Sequence, residues 1–226
     1  MGFDGFPEQT LGFLAGIREH NDKGWFEAHR ADYETGYVDA GRQFVLAAFE
    51  ALHAVAPGVR AEPRVLGSLA RINRDIRFSP DKRPYKDHLD LWLWEGDRKS
   101  APSGFWFRLT PEVVMFGTGA HGFDKARLAR YRDAVVDPVA GRVLAAAVRA
   151  VESAGYEVQA ESLRRVPAGY EPSDDGQSRL LRFSSLFSGD DEPVGPWVHG
   201  PEVLDRALGH WKKMLPLHRW LVDHLP

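Results

Sequence analysis

Between residues 89 and 116 the sequence reads Leu89-Asp-Leu-Trp-Leu-Trp94, then Gly104-Phe-Trp-Phe-Arg-Leu109, and then Val113-Val-Met-Phe116. These runs are short and rich in the branched and aromatic side chains that strands favour. A run with the same texture, Val65 to Ile72, precedes them. We therefore predict an antiparallel sheet between about residues 63 and 118.

Helical patterns flank the predicted sheet on both sides. Residues 8–56 repeat apolar side chains at helical spacing, and Asp22 is a plausible N-cap where this block breaks in two. Further helices are predicted from an N-cap at Asp124 to about Val136, from Asp137 to about Ser153, and from Pro201 onward, with Pro216 dividing the last one. Short strands are predicted at Tyr156 to Gln159 and at Leu180 to Phe183. The sequence thus predicts an α+β fold, an antiparallel sheet flanked by N-terminal and C-terminal helices.

Length and composition narrow the class of protein. A chain of 226 residues suits a single domain over residues 1–226, with residues 1–58 as a possible N-terminal helical subdomain. The net charge of -3 argues against a surface built around a polyanion, so nucleic acid is an unexpected partner. With no cysteine, no membrane-length apolar run and no leader pattern, we expect a cytoplasmic protein that does not enter a membrane.

The segment most typical of a functional site follows the first predicted strand. It reads Arg71-Ile-Asn-Arg-Asp-Ile-Arg-Phe-Ser-Pro-Asp-Lys-Arg-Pro-Tyr-Lys86. If its first half is extended, Arg74 shares a face with Ile72, Ile76 and Phe78, so its guanidinium requires a partner there. Two prolines stiffen the second half, and a preorganised loop loses less entropy when it binds a ligand.

Two interpretations of this segment remain open. In the functional one, an anionic ligand is bound by the basic and phenolic side chains of the segment, namely Arg71, Arg74, Arg77, Lys82, Tyr85 and Lys86. Asp75, Asp81 and Tyr85 are then the candidates for catalytic groups, although the sequence does not say whether a reaction takes place. In the structural one, Asp75 pairs with Arg71, Arg74 or Arg77 and fixes the loop without any ligand.

The same segment resembles the central signature of a family of bacterial conserved hypothetical proteins, domain-of-unknown-function family 2461. The pattern RxNRDxRFSxDKxPYK carries the resemblance, and further matches occur at Asn21, Trp25-Phe26, Tyr33, Gly117 to Gly122, Val166 to Tyr170, Pro216-Leu217 and Trp220-Leu221. The resemblance implies no assigned reaction. It does imply that the segment from Arg71 to Lys86 is a shared feature of the family, which favours a site over simple packing.

Two weaker patterns are expected to carry no cofactor or metal. Gly117-Thr-Gly-Ala-His-Gly122 spells a dinucleotide-binding pattern, but the predicted helix begins beyond the third glycine and no parallel strand follows. The nine histidines lack metal-ligand spacing. The sequence therefore favours a binding protein or enzyme for a small phosphorylated or carboxylated metabolite. A structural or partner-binding module is the alternative, a nucleic-acid binder is less favoured, and the oligomeric state stays open.

Overall fold

The computed structural model describes residues 2–160 and 162–226, and its strands form an antiparallel sheet. The strands are β1 Val59–Arg60, β2 Leu89–Glu95, β3 Gly104–Leu109, β4 Val113–Ala120, β5 Val158–Gln159 and β6 Leu186–Pro193, in the order β1-β2-β3-β4-β6-β5. The predicted runs at 89–94, 104–109 and 113–116 are confirmed as β2, β3 and the first half of β4. Together with the helices, this sheet confirms the predicted α+β fold class.

In the sequence, helices precede β1, lie between β4 and β6, and follow β6. They are α1 Glu8–Glu19, α2 Lys23–Ala28, α3 Arg30–Asp32, a π-helical segment Tyr33–Asp39, α4 Ala40–His53, α5 Lys125–Val136, α6 Ala140–Ser153, α7 Asp175–Leu181, a 3₁₀ turn Pro196–His199 and α8 Glu202–His224. The Asp22 carboxylate accepts the backbone N–H of Trp25, and the Asp124 carboxylate accepts that of Arg127. Both predicted N-caps are therefore confirmed.

The predicted strand from Val65 to Ile72 is wrong. This segment makes only isolated bridges, such as Leu69 with Leu91. Leu66 has a φ of 64°, and a Cβ at Gly67 would lie only 2.4 Å from the carbonyl oxygen of Glu62. A tight turn at these two residues prevents the apolar run from forming a continuous strand.

Three further elements differ from the sequence prediction. α8 continues through Pro216 to His224, so this proline does not divide the helix. Leu180 and Leu181 end the helix α7 instead of starting a strand. β6 was missed because its second half, Gly189-Asp-Asp-Glu-Pro193, is polar and resembles a loop.

The chain divides into two compact units by its internal contacts. The first unit consists of Met1–Leu93, Trp106–Phe116 and Asp191–Gly209, and the second of Trp94–Phe105, Gly117–Asp190 and His210–Pro226. In the first unit, Phe6 stacks on Phe44 and Phe107 with ring centroids 5.4 and 5.7 Å apart. In the second, the indole N–H of Trp220 donates to the Ala140 carbonyl and the Tyr131 hydroxyl donates to that of Leu180.

Candidate functional site

The segment from Arg71 to Lys86 forms a narrow hairpin closed by a loop. The N–H of Arg74 donates to the Pro84 carbonyl and the N–H of Lys86 to the Ile72 carbonyl, both at 2.8 Å. Asn73 and Tyr85 pair between these two bonds. Residues 75–83 are thereby held as a loop, and we call the whole segment from Arg71 to Lys86 the basic loop.

The basic loop contains the same Asp-x-Arg arrangement twice. Asp75 accepts the backbone N–H of Arg77 at 3.2 Å and two guanidinium N–H groups at 2.9 and 2.6 Å. Asp81 accepts the backbone N–H of Arg83 at 3.0 Å and its guanidinium at 2.8 Å. Each acid thus closes a short turn and binds the following arginine in a forked geometry. The two acidic side chains fix the shape of the loop.

These contacts also set the charge state of the two acids. The hydrogen bonds from Arg77, with a smaller contribution from the charge of Arg71, lower the pKa of Asp75. The hydrogen bonds from Arg83, with a smaller one from Arg74, hold the pKa of Asp81 well below its usual range. A carboxylate with a lowered pKa is a weak base. The arrangement therefore suits both aspartates to positioning rather than to proton transfer.

Arg74 is paired, as the sequence analysis required, but with a different acid. Its guanidinium donates to Asp81 Oδ2 at 2.8 Å and to the Arg83 carbonyl at 3.0 Å, and not to Asp75. Its side chain is 26% exposed. The sequence alternation predicted that Phe78 would share an apolar face with Arg74, but Phe78 is exposed. Arg74 is therefore half-buried and bound within the loop.

Tyr85 is held through both its backbone and its ring. The side-chain amide of Asn21 bonds to both backbone groups of Tyr85, at 2.9 Å to its N–H and 3.1 Å to its carbonyl. The phenol ring stacks on Phe26 with centroids 4.5 Å apart. Burial raises the pKa of Tyr85, so its hydroxyl stays protonated and can donate a hydrogen bond.

The cations of the segment outnumber the acids that bind them. In the part of the chain that the structure describes, Arg71 and Lys82 contact no carboxylate. Arg71 is exposed, and Lys82 Nζ donates to the Ile76 carbonyl at 2.9 Å. Arg74 and Arg83 share the single carboxylate of Asp81. The basic side of the loop therefore retains positive charge that the loop itself does not neutralise.

Lys86 belongs to a second polar cluster that the sequence analysis missed. The carboxylate of Asp90 on β2 lies 2.6 Å from Arg108 Nε, 3.3 Å from Lys86 Nζ and 3.3 Å from His88 Nε2. The opposite ring nitrogen of His88 lies 3.0 Å from Asp87, which also receives Arg18 Nε at 2.9 Å. The signal was present in the alternation of β2 and β3, which places Asp90 and Arg108 across neighbouring strands.

Hydrogen bonding outweighs burial at the centre of this cluster. Burial by itself raises the pKa of Asp90, but hydrogen bonds from His88 and Arg108 hold that pKa well below its usual range. Asp90 is therefore a charged, half-buried anchor for three cationic or polar partners. Lys86, a candidate ligand-binding residue, is paired with Asp90 and is therefore less able than Arg71 or Lys82 to reach a ligand.

A cavity of about 720 Å³ lies in the second unit, between the end of α5, the helix α6 and the region of α7. Apolar side chains such as Val135 and Val148 form part of its wall, and Arg142, Arg149 and Arg179 line it together with four acids. Arg179 is paired with Glu152 at 2.8 Å, whereas Arg149 is exposed. The mixed charges of this cavity favour an anion less than the basic loop does.

Other polar groups of the second unit are arranged for stability. His218 Nδ1 lies 2.8 Å from the Ser103 hydroxyl, and its Nε2 lies 3.4 Å from Glu95. This set has the composition of a nucleophile, a base and an acid, but Ser103 and His218 are both only 1% exposed. A substrate cannot reach Ser103 in this conformation. We therefore assign the set to the core, where Ser103 gives His218 Nδ1 a hydrogen-bond partner and Glu95 lies near Nε2.

The first four residues of the glycine pattern at 117–122 lie in a strand, and the last two form a bend after it. Gly117 to Ala120 are the last residues of β4. Gly119 has a φ of 123°, and a Cβ there would lie 2.4 Å from the carbonyl oxygen of Leu186. Close approach of the neighbouring strand β6 explains why glycine occupies this position.

Among residues 2–160 and 162–226, no group of three His, Asp or Glu side chains is arranged to hold a metal ion. Within the same residues, no helix has the length and apolar character needed to cross a membrane.

Comparison with known proteins identifies one family. The chain matches the family described as conserved hypothetical protein (DUF2461) over residues 9–220. No curated protein and no solved structure matches it. The matched range contains the basic loop, Asn21, Tyr85 and the cluster around Asp90, and it covers nearly the whole chain. The protein therefore belongs to the DUF2461 family of conserved hypothetical proteins.

Proposed function

We propose that the protein binds a small anionic ligand, carrying a phosphate or a carboxylate, at the basic loop. The proposed ligand-binding residues are Arg71, Arg74, Arg77, Lys82, Tyr85 and Lys86. The observation that carries the proposal is the surplus of positive charge: Asp75 and Asp81 are occupied by arginines, whereas Arg71 and Lys82 contact no carboxylate of the described residues. An anion supplies the missing partner.

The residues of the loop have different roles in this proposal. Arg71 and Lys82 supply the charge that meets the ligand, and Tyr85 offers a protonated hydroxyl as a hydrogen-bond donor. Asp75 and Asp81 orient Arg77 and Arg83 through their forked contacts. Because the loop is already held by these contacts, little further ordering is needed when a ligand binds.

Replacing Arg71 by methionine tests the proposal. We expect Arg71→Met to weaken the binding of inorganic phosphate by about tenfold, as for the loss of one charged hydrogen bond. The measurement is isothermal titration calorimetry at low ionic strength, where exposed charges are least screened. Arg71 is exposed, so the variant should unfold at the same temperature as the parent.

Arg149→Met is the matched control. It removes the same charge from an exposed position on α6 that lines the cavity of the second unit. Phosphate affinity should not change in this variant. If Arg149→Met weakens phosphate binding and Arg71→Met does not, the anion site lies at the cavity and the assignment to the basic loop is wrong.

The alternative is a structural module, and the ion pairs of the loop favour it specifically. Arg74 and Arg83 both bind Asp81, and Arg77 binds Asp75. In that alternative the ion pairs fix the shape of the hairpin itself, and no ligand is needed.

Arg74→Met separates the two functions. If the loop is a ligand site, the variant should be about as stable as Arg149→Met, because Asp81 keeps Arg83 and the broken pair is partly exposed. It should also bind phosphate more weakly than the parent. Urea unfolding with and without phosphate measures both effects. A large loss of stability in Arg74→Met, combined with no stabilisation of the parent by phosphate, favours the structural module.

A further inference from the structure

Phe78 is the most exposed large apolar side chain among the described residues, with 94% of its surface accessible. It lies in the basic loop between the two Asp-x-Arg turns. An aromatic ring of this size contributes substantially to stability when it is buried. Its full exposure in a largely charged loop leaves an aromatic surface available to a ligand that binds the neighbouring cations.

Hydrogen bonds hold the loop on both sides of Phe78. Asp75 with Arg77 constrains the loop before the ring, and Asp81 with Arg83 constrains it after the ring. Lys82 Nζ reaches back across the loop to the Ile76 carbonyl at 2.9 Å. A loop that is already held in shape loses less conformational entropy when a ligand binds beside it.

The charges around the ring indicate the chemistry of that partner. The guanidinium carbon of Arg77 lies 5.9 Å from the centroid of the Phe78 ring. Arg71 is close enough to Asp75, the acid that binds Arg77, to act on it electrostatically. A flat aromatic surface is therefore combined within one short loop with two cations, Arg71 and Lys82, that contact no carboxylate of the described residues.

We propose that the ligand of the basic loop is a phosphate ester that carries an aromatic ring, as a nucleotide does. The aromatic ring of the ligand stacks on the open face of Phe78, and its phosphate binds Arg71 and Lys82. This inference rests on the proposed function, because it assigns the class of ligand to the same site. Stacking on an exposed aromatic side chain is tolerant of the identity of the base, so the site recognises a planar ring and not one particular base.

The size of the ligand follows from the overall charge. The chain carries a net charge of -3, which repels a long polyanion over most of the surface. A ligand with one phosphate group meets only the local surplus of positive charge at the loop. A free nucleotide therefore fits the protein better than a nucleic-acid strand does.

The test compares AMP with ribose 5-phosphate, which has the same phosphate ester and no aromatic ring. We expect AMP to bind the parent about tenfold more tightly than ribose 5-phosphate. Phe78→Ala should abolish this difference and leave the affinity for ribose 5-phosphate unchanged. Phe78→Tyr keeps a stacking surface and should retain the preference for AMP. Thermal unfolding of each variant checks that the fold is intact, which is expected because Phe78 is exposed.

The possible outcomes distinguish this inference from the proposed function. Equal affinities of the parent for AMP and ribose 5-phosphate overturn the aromatic ligand, while the anion site stands. Binding of neither ligand, together with no phosphate binding, overturns the proposed function and this inference with it. Binding of a single-stranded oligoadenylate shows whether the ligand is a free nucleotide or a nucleotide within a strand. Weaker binding than AMP supports a free nucleotide, and tighter binding that depends on Phe78 supports a nucleotide within a strand.

Discussion

Gly119→Val is expected to lower the free energy of unfolding by about 4 kcal/mol or more, because two penalties combine at this position. Gly119 has a φ of 123°, which side-chain-bearing residues rarely adopt. A Cβ would also lie 2.4 Å from the carbonyl oxygen of Leu186 and 2.5 Å from the Cα of Phe187. The strands β4 and β6 would have to separate to accommodate it. Urea unfolding followed by tryptophan fluorescence measures the loss.

The control for this variant is a second glycine with a positive φ. Gly122 has a φ of 58°, but a Cβ there would meet no atom within 4 Å. Gly122→Ala therefore adds backbone strain without a collision and should cost about 1 kcal/mol. Gly119→Ala serves as an intermediate variant if the valine protein does not fold. A loss at Gly119 no greater than the loss at Gly122 would contradict the close approach of β6.

Asp90→Asn is expected to lower the free energy of unfolding by about 2 to 3 kcal/mol near neutral pH, somewhat less than for a fully buried ion pair. The carboxylate of Asp90 is 25% exposed and binds Arg108 at 2.6 Å, together with Lys86 and His88. Asparagine has a similar shape but no charge, so it leaves these partners without their common anion. Thermal or urea unfolding at neutral pH measures the difference.

The effect of Asp90→Asn should depend on pH in a defined direction. The folded protein holds the pKa of Asp90 well below its usual range, whereas in the unfolded chain it returns to about 3.9. The contribution of Asp90 to stability is therefore fully present above this unfolded value and is lost as the pH falls toward the folded one. The parent and the variant should differ in stability by a constant amount above about pH 5 and converge in stronger acid.

Asp4→Asn provides the comparison, since Asp4 is exposed. This variant should have nearly the stability of the parent at every pH. A difference between the parent and Asp90→Asn that grows as the pH falls below 4 would show that the contacts of Asp90 do not depend on its negative charge.

Local signals in the sequence determined several elements directly. The N-caps at Asp22 and Asp124 form because a side-chain oxygen lies close to N–H groups two or three residues ahead. β2 and β3 were predicted to within one residue, since their alternating and aromatic residues suit only a partly buried sheet. The signature from Arg71 to Lys86 likewise led to the family that the comparison identifies.

Tertiary contacts decided the elements for which the local signal was misleading. Pro216 lies inside α8 because the buried residues around it, such as Leu215 and Leu217, favour a continuous helix despite the missing N–H. The second half of β6 is polar, and it forms a strand because β4 lies beside it. In both cases packing outweighs local preference, which amounts to a few kcal/mol at most.

The same division applies to the candidate site. The sequence by itself determined that a basic segment stiffened by two prolines exists and that Arg74 needs a partner. Only the tertiary structure decided that this partner is Asp81, that Lys86 is committed to Asp90, and that Phe78 projects from the loop. The physical reason is that ion pairs depend on distances of a few ångströms. Those distances depend on how the hairpin closes in the folded protein, and they cannot be read from the sequence.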